Sequence, residues 1–335
     1  MILRVLVVGH GAIGKVRASA LHQRGEAHGA SLAGTVDPVA RDPKLYGGAP
    51  HFAALDAVSL GAFDAAVVAM PHDLAVPTVE RLVAAGKRVL VEKPLGLTHA
   101  QAQKLAAAAR EKQVACFVGY NYRFLPHVQL ALRAAPAGRL GKLRSIDMLL
   151  GHGGHPGSAK EWKLDPKRAG GGVIIDPGVH LLDLLLRLEP KLEPVLAQGS
   201  SGFFKTGIEE DVVCVLRTGE CIATVRVSHV RWVNGLRIEL VGEDGYALLE
   251  GRGGTYGPMS ARFGKRWAWA DGSGKAQRET EEVTHFGASN ASFELETEAV
   301  LDRWAGRPAE VMPATFEDGV EIARLCDRLY AMLQR

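Results

Sequence analysis

The chain has 335 residues, 47% apolar and 23% charged, with 40 basic against 37 acidic side chains and a formal net charge of +3. At roughly 100–200 residues per domain this length predicts two domains with ordinary buried cores, and a near balance of charge without a basic run argues against a nucleic-acid partner. No apolar stretch is expected to reach the ~20 residues of a membrane span, and the chain opens in the strand-like MILRVLVVG rather than in a basic leader, so no membrane partner and a cytoplasmic location are expected.

Up to residue 119, strand and helix patterns alternate. Apolar runs at 2–8, 31–36, 64–69, 88–91 and 114–118 predict strands, and 74–85 and 98–111 carry helical patterns. Short continuous apolar runs separated by helices suit parallel strands buried on both faces, so residues 1–119 are expected to form a doubly wound α/β, Rossmann-type domain. At the end of the first strand stands Gly9-His10-Gly11-Ala12-Ile13-Gly14, a G-x-G-x-x-G turn opening a helix. The first glycine permits a tight turn, the second lets backbone approach a pyrophosphate, and the third lets helix and strand pack closely. Ala12 and Ile13 belong to the same turn, where a helix N-terminus offers N–H groups to phosphate. Asp37 closes the second strand 23 residues after Gly14, where a carboxylate accepts hydrogen bonds from a ribose diol and repels a 2′-phosphate. NAD is therefore the expected cofactor and NADP the less favoured one, although Asp37-Pro38 is also an ordinary turn start. Met70, Pro71 and His72 follow the third strand and should border a ribose, since ligands of such sheets bind beyond the carboxyl ends of the strands.

Glu92 closes the fourth predicted strand (RVLVE) and Lys93 follows it on the cofactor side, where Pro94 biases Lys93 toward an extended backbone, so that the strand end aims its side chain. A lysine capping a strand is usually a solvated charge. At the end of the sheet that carries the glycine turn, an ammonium can instead stabilise a developing alkoxide or pass a proton.

Beyond residue 119 helices become scarce. Runs at 143–150, 195–200, 211–216, 221–229, 236–241 and 246–250 predict an open, mostly antiparallel sheet, with helices at 178–188, 292–304 and 315–333. That makes 120–335 an α+β domain, with Gly-rich loops at 151–157, 251–257 and 271–274. A hairpin about Thr218-Gly219 would set Cys221 opposite Leu216 rather than Cys214. Cys116, Cys214, Cys221 and Cys326 are accordingly expected as free thiols of a reducing compartment.

The segment GGGVIIDPGVH at 170–180 admits two readings. Asp176-Pro177 reads as an N-cap followed by proline at the first helical position, and His180, Asp183 and Arg187 then continue a polar stripe that could be a solvent face. Against that, three glycines before an apolar run suggest backbone crowded against a ligand or another segment. A histidine one turn into a helix with a carboxylate one turn back also suits a general base near neutral pH. Spacing alone leaves both open. His152 and His155 in GHGGHPG are close enough to suggest a metal, but no carboxylate accompanies them, and no metal is assigned.

The set GHGAIG, VEKPLGLT, GYNYRF and GGGVIIDPGVHLLD, in this order, resembles the glucose–fructose oxidoreductase/inositol dehydrogenase/rhizopine-catabolism (GFO/IDH/MocA) family by motif over roughly residues 1–190, and more weakly beyond. The resemblance implies a Rossmann domain followed by an open-sheet α+β domain. It also implies NAD(P)-dependent oxidation of a secondary hydroxyl of a sugar, cyclitol or sugar nucleotide, or reduction of the matching ketone. Carried over by motif, the catalytic residues fall on Lys93, Asp176 and His180: His180 takes the hydroxyl proton, Lys93 polarises the oxygen, and Asp176 orients substrate or histidine. Tyr122 and Arg123 would approach the substrate or the nicotinamide end. Trp162 would wall the pocket, with Lys163, Arg168, His152 and His155 as weaker substrate candidates.

One departure is visible: the family often carries T-P-N-x-x-H after the third strand, where this chain has Met70-Pro71-His72-Asp73-Leu74-Ala75. The family also suggests a cis Lys93-Pro94 bond and a homodimer or homotetramer, which would cover a broad sheet face. Two other functions stay in view, a redox-assisted glycosidase or lyase that regenerates its cofactor, and a non-catalytic dinucleotide sensor.

Overall fold

The computed structural model describes residues 2–154, 157, 161–265, 268–269, 276–277 and 281–333. The chain forms two compact units interleaved in sequence. The first comprises Met1–Phe124, Lys167–Gly170 and Ala291–Cys326, the second Leu125–Pro166, Gly171–Asn290 and Asp327–Arg335.

In the first unit, β1 (Leu3–Val8), β2 (Ala30–Val36), β3 (His51–Phe52), β4 (Ala65–Val68), β5 (Arg88–Glu92) and β6 (Cys116–Gly119) pair in parallel in the order β6-β5-β4-β1-β2-β3. The crossovers include α1 (Ala12–Arg24), α2 (His72–Ala84) and α3 (His99–Glu111). Strand order reverses at β1, which lies between β2 and β4, and such a switch point is where open α/β sheets bind ligands. Val5 and Val7 pack with Ala18 and Leu21 of α1, while Leu6 and Val8, pointing the other way, are equally buried. Burial on both faces explains why these strands read as unbroken apolar runs. Thr98 caps α3, its side chain accepting from the Gln101 N–H.

The second unit begins with α4 (Pro126–Ala134) and β7 (Leu143–Gly151), and α5 (Pro166–Ala169) and α6 (Val179–Leu188) follow. Then come β8 (Glu193–Ser200), β9 (Asp211–Thr218), β10 (Cys221–Ser228), β11 (Gly235–Gly242), β12 (Gly245–Glu250) and β13 (Met259–Lys265). A two-stranded ribbon, β14 (Ala268–Trp269) and β15 (Ala276–Gln277), precedes β16 (Glu282–Gly287). The sheet order is β16-β13-β12-β11-β7-β10-β9-β8, antiparallel throughout except between β7 and β10. Along β9, β10 and β12 buried residues alternate with more accessible ones, the pattern of a sheet with one covered face. Helices α4 and α6 supply cover, packing on β12–β13 and β7 respectively. The sequence pattern does not announce α4, β13 or β16. Nine-residue α4 is short, β13 alternates with small Ser, Ala and Gly, and β16 is almost wholly exposed.

The chain then returns to the first unit. From α7 (Ser292–Trp304), Val300, Leu301 and Trp304 join the core that contains Val5 and Val7, and Trp304 Nε1 donates to the Ala115 carbonyl at 2.9 Å. β17 (Ala314–Thr315) adds an antiparallel strand to β6 before α8 (Phe316–Leu333), within which the boundary between units falls.

Two expectations need correction. The β9–β10 hairpin turns on Gly219-Glu220, so Cys221 pairs with Thr218, Leu216 with Ala223 and Cys214 with Val225. A two-residue loop pairs the residues that flank it, which shifts the register from the one expected. All four cysteines are nevertheless free and buried, and burial pushes the Cys116 and Cys214 thiols up to about 12, far from a thiolate nucleophile. One stretch, Pro166–Leu188, is long and apolar enough by length and composition to cross a membrane, although none was expected. Its most apolar window is 83% buried inside the structure, as a core helix would be. The predicted loop at 271–274 lies outside the described residues.

Candidate active site

The glycine turn follows β1 directly. Gly9 has φ +92°, and a Cβ there would stand 2.2 Å from the Ala69 carbonyl oxygen just past β4; on Gly14 it would stand 1.9 Å from the Gly9 oxygen. A Cβ on Gly11, by contrast, would meet nothing within 4 Å. Two glycines are therefore required by the protein's own backbone, and the middle one fronts open space from which a phosphate can approach. No side chain caps α1 at its Gly11 N-cap and no acidic residue occupies its first turn, so the helix N-terminus is left to an external anion.

Asp37, at the end of β2, is hooked to this turn. Its Oδ2 accepts from the His10 N–H at 2.7 Å and its Oδ1 from the Val39 N–H at 2.9 Å. Each carboxylate oxygen retains acceptor capacity for a ribose hydroxyl. His10, buried, packs edge-on to Tyr46, whose hydroxyl lies 3.0 Å from Nε2. Burial and the nearby Arg41 and Lys15 lower its pKa. Sequence reasoning missed both residues, and only the position of His10 between two fingerprint glycines marked it. The glycine spacing, the uncapped helix and the oriented carboxylate fit a dinucleotide. Met70 and Pro71 follow β4 half-buried, whereas His72 is buried and donates from Nδ1 to the Ala169 carbonyl at 2.8 Å. Arg168, from the same short segment, pairs with Asp73 at 3.5 Å.

At the end of β5, the Lys93-Pro94 bond is cis, and Lys93 is half-buried. The Glu92 carboxylate beside it is gripped by Arg17 at 2.7 Å. Tyr122 and Arg123 lie on a 3₁₀ turn, Asn121–Phe124, and both are buried. The Arg123 guanidinium pairs with Asp318 at 3.1 Å and also donates to the Met312 carbonyl.

In the second unit, the N-cap reading of Asp176 is overturned. A wide turn, Ile174–Gly178, with a cis Asp176-Pro177 bond leads into α6, which starts at Val179 with Gly178 as N-cap. Asp176 is extended (φ −139°, ψ 103°), no side chain caps α6, and the Asp176 carboxylate meets Lys163 Nζ at 2.8 Å. The solvent-face reading of the stripe fails as well: His180 and Asp183 are 6% and 1% exposed, and only Arg187 faces water.

The glycine run is crowded by another segment, as its composition suggested. A Cβ on Gly172 would stand 1.9 Å from the Glu209 carbonyl oxygen, and one on Gly171 would stand 2.1 Å from the Tyr330 hydroxyl. Glu209 also accepts from the Gly172 and Ile174 N–H groups and from Tyr330, which pins the run just ahead of Asp176. Tyr256, which the sequence marked only as part of a Gly-rich loop, joins this site. Burial raises its phenol pKa, with Asp176 and Lys163 close enough to act on it, and Arg252 stacks on its ring at 3.9 Å. Trp162 sits half-buried on the turn before Lys163, and the His152 ring lies 4.4 Å from that of His229. His155 falls outside the described residues. Among the described residues no group of three or more His, Cys, Asp or Glu side chains gathers as a metal site would.

Comparison with known proteins agrees with this architecture. Residues 3–120 match the model of the GFO/IDH/MocA oxidoreductase family with its NAD-binding Rossmann fold, and residues 128–248 match the GFO/IDH/MocA C-terminal domain. The rhizopine catabolism protein MocA of Rhizobium meliloti is 30% identical over 183 residues, 52% of this chain and 54% of that protein. A 1,5-anhydro-D-fructose reductase of Ensifer adhaerens is 34% identical over 154 residues, 45% of either chain. The matches thus span about half the length of these curated relatives. The crystal structure of GenD2 from gentamicin A biosynthesis, in complex with NAD, superposes with a TM-score of 0.79 at 25% identity, covering 99% of this chain and 94% of that one. The chain belongs to the GFO/IDH/MocA family of NAD-binding oxidoreductases.

Proposed function

We propose that this protein is an NAD-dependent dehydrogenase or reductase acting on a secondary hydroxyl, or the matching ketone, of a sugar, cyclitol or sugar derivative. The observation that carries the reading is the Gly9–Gly14 turn with Asp37 hooked to it, at the switch point of a parallel sheet. Relatives named as an anhydrofructose reductase and a levoglucosan dehydrogenase support the substrate class. Residues 1–119 serve as the cofactor domain and 120–335 as the substrate and oligomerisation domain, with α7 returning to brace the former.

When bound, the nicotinamide supplies the hydride acceptor or donor at C4. Gly11, Ala12, Ile13 and Gly14 would hold the pyrophosphate by backbone N–H groups, Gly9, whose own N–H is donated to the Val36 carbonyl, would turn the chain beneath it, and Asp37 would hold the adenosine ribose. Met70, Pro71 and the Glu92-Lys93 backbone border the rest of the cofactor. In the oxidative direction, His180 would accept the proton of the substrate hydroxyl. Lys93 would donate a hydrogen bond to a substrate oxygen and stabilise charge that develops there. Asp176, charge-paired with Lys163, orients the substrate hydroxyls, and Tyr256 and Trp162 shape the same region. Arg123 and Arg168, each committed to a carboxylate, act as scaffold more than as substrate contacts.

A homodimer or homotetramer and a cytoplasmic location complete the proposal. The outward face of the second sheet carries Leu196, Val213 and Ile222, exposed by 39–47%, which a second copy would cover. Ile222→Arg should shift the sedimentation coefficient to that of a monomer.

The deciding experiment mixes the protein and NAD with cyclitols, hexoses, sugar acids and nucleotide sugars and follows nicotinamide absorbance. Sustained NADH formation with one class, absent in Lys93→Ala, is expected. Product formation without net NADH would instead establish the redox-assisted route, and cofactor binding with no turnover of any kind would point to a sensor.

A further inference from the structure

Arg17 lies in α1, three residues beyond Gly14, and is fully buried. Its guanidinium reaches two carboxylates from distant parts of the chain. Nε and Nη2 meet Glu92 Oε1 at 2.7 Å, and Nη2 meets Glu296 Oε2 at 2.5 Å. Nη1 donates to the Phe293 carbonyl at 3.3 Å and to Thr297 Oγ1 at 3.4 Å, and the guanidinium stands 4.9 Å above the Phe293 ring. Space for the pairing is left by Gly119 at the end of β6, where a Cβ would fall 2.9 Å from Arg17 Nη2 and 3.0 Å from Glu92 Oε2. The Glu296 carboxyl is inaccessible, and its Oε1 has no hydrogen-bond partner among the described residues.

A buried ion pair is a poor source of stability compared with a packed apolar cluster, and its best-attested use is to fix one geometry over others. Here the geometry fixed is that of the β5 end. Glu92 and Lys93 are consecutive, so a carboxylate clamped from below sets the backbone from which the Lys93 side chain departs. We propose that Arg17, itself held by Glu296, is a positioning residue for Lys93 and acts through Glu92. The proposal rests on the catalytic assignment of Lys93 made above.

One arginine cannot neutralise two carboxylates, and burial pushes the Glu296 carboxyl up to about 7. The charged groups acting on it are Arg17 from α1, Glu92 from β5 and Arg123 from the turn after β6, the last already paired with Asp318 of α8. Below neutral pH a protonated Glu296 still accepts from Arg17 but carries no charge, so the guanidinium's charge is set against Glu92 alone. Above it, an ionised Glu296 competes for the same donors. The clamp on Glu92 therefore changes strength across neutrality.

The test compares the full-length protein with Arg17→Lys, Glu296→Gln and Lys93→Ala, measuring kcat, KM, NADH affinity by fluorescence and the pH profile of kcat. Lysine keeps the charge but cannot grip two carboxylates from a planar fork. Arg17→Lys should lower kcat at least tenfold, with NADH affinity and substrate KM within threefold of the parent. Glu296→Gln keeps an acceptor for Arg17 and cannot ionise, so it should change the kcat profile near pH 7, leaving only the limb set by proton transfer to His180. Should Arg17→Lys fail to fold, the Glu296→Gln profile decides alone. A folded Arg17→Lys enzyme with parental kcat, or a Glu296→Gln profile superimposable on the parent, overturns the positioning role. Full activity in Lys93→Ala overturns it too, but by removing the catalytic assignment beneath it. An inactive Lys93→Ala beside an unaffected Arg17→Lys removes the positioning role only.

Discussion

The two sheets of this molecule solve the burial problem differently. β1 and β4 are buried on both faces, and the candidate cofactor groups beside them are largely backbone: a glycine turn and a helix N-terminus after β1, with one carboxylate at the end of β2 aimed by N–H groups, Lys93 after β5 being the exception. β9, β10 and β12 bury one face only, and the candidate chemistry of that unit rests on side chains: Asp176, Lys163, His180 and Tyr256. The difference teaches a division of labour. A cofactor common to a whole family can be held by backbone that tolerates little change, while side chains on a separate scaffold can vary with the substrate.

Several substitutions break or sharpen this comparison. The largest effect is expected from Lys93→Ala and His180→Ala, each lowering kcat by about 10²–10⁴-fold while NADH fluorescence titrations move by less than threefold. A loss concentrated in NADH affinity for His180→Ala would place that residue with the cofactor and erase the division. Next comes the fingerprint itself. Gly14→Ala forces a Cβ to within 1.9 Å of the Gly9 oxygen and should destabilise the protein by about 2–4 kcal/mol in urea denaturation. Gly11→Ala has room for its Cβ and should cost only about 1 kcal/mol, yet weaken NAD binding at least tenfold because the methyl occupies the space the pyrophosphate needs.

Acid titration separates the units in a third way. Burial drives the imidazole of His127, on α4, down to about 4 from 6.5. The neutral folded form then contributes stability that is fully present above pH 6.5 and is lost as pH falls toward 4, roughly 3 kcal/mol in all. Glu296 in the first unit runs the opposite way. With its folded pKa raised from 4.5 to about 7, its contribution is complete below pH 4.5 and is lost as pH rises through 7. His127→Gln should flatten the acid limb of a stability-against-pH curve and Glu296→Gln the neutral limb. Identical curves for both variants would show that neither group titrates as its burial requires. The smallest effect is expected from Asp37→Asn, which keeps an acceptor for the His10 N–H but drops the charge. NAD affinity should fall about tenfold, the value of one charge-assisted hydrogen bond, and NADP should lose less, which a competition titration would detect.

Much of this was legible along the chain because periodicity and glycine spacing are local. Burial on both faces forces continuous apolar runs, so β1, β4, β5 and β6 could be read directly, and the turn from Gly9 to Gly14 declares its own backbone geometry. Alternation revealed β9, β10 and β12 in the same way. What stayed hidden depends on which distant segments meet. Asp176-Pro177 has the local form of a helix cap, yet its carboxylate caps no helix and meets Lys163. Tyr256 looked like one residue of a loop, and Arg123 like a free hand for substrate rather than the partner of Asp318.

By itself the sequence determined the family, the two sheet types and the dinucleotide turn, because each follows from interactions within a few residues. Only the tertiary structure decided that α7 closes the first core, and that Arg17 meets Glu92 and Glu296 across 75 and 279 residues of chain. A buried guanidinium must find carboxylates wherever packing delivers them, and no local pattern encodes a partner chosen by the fold.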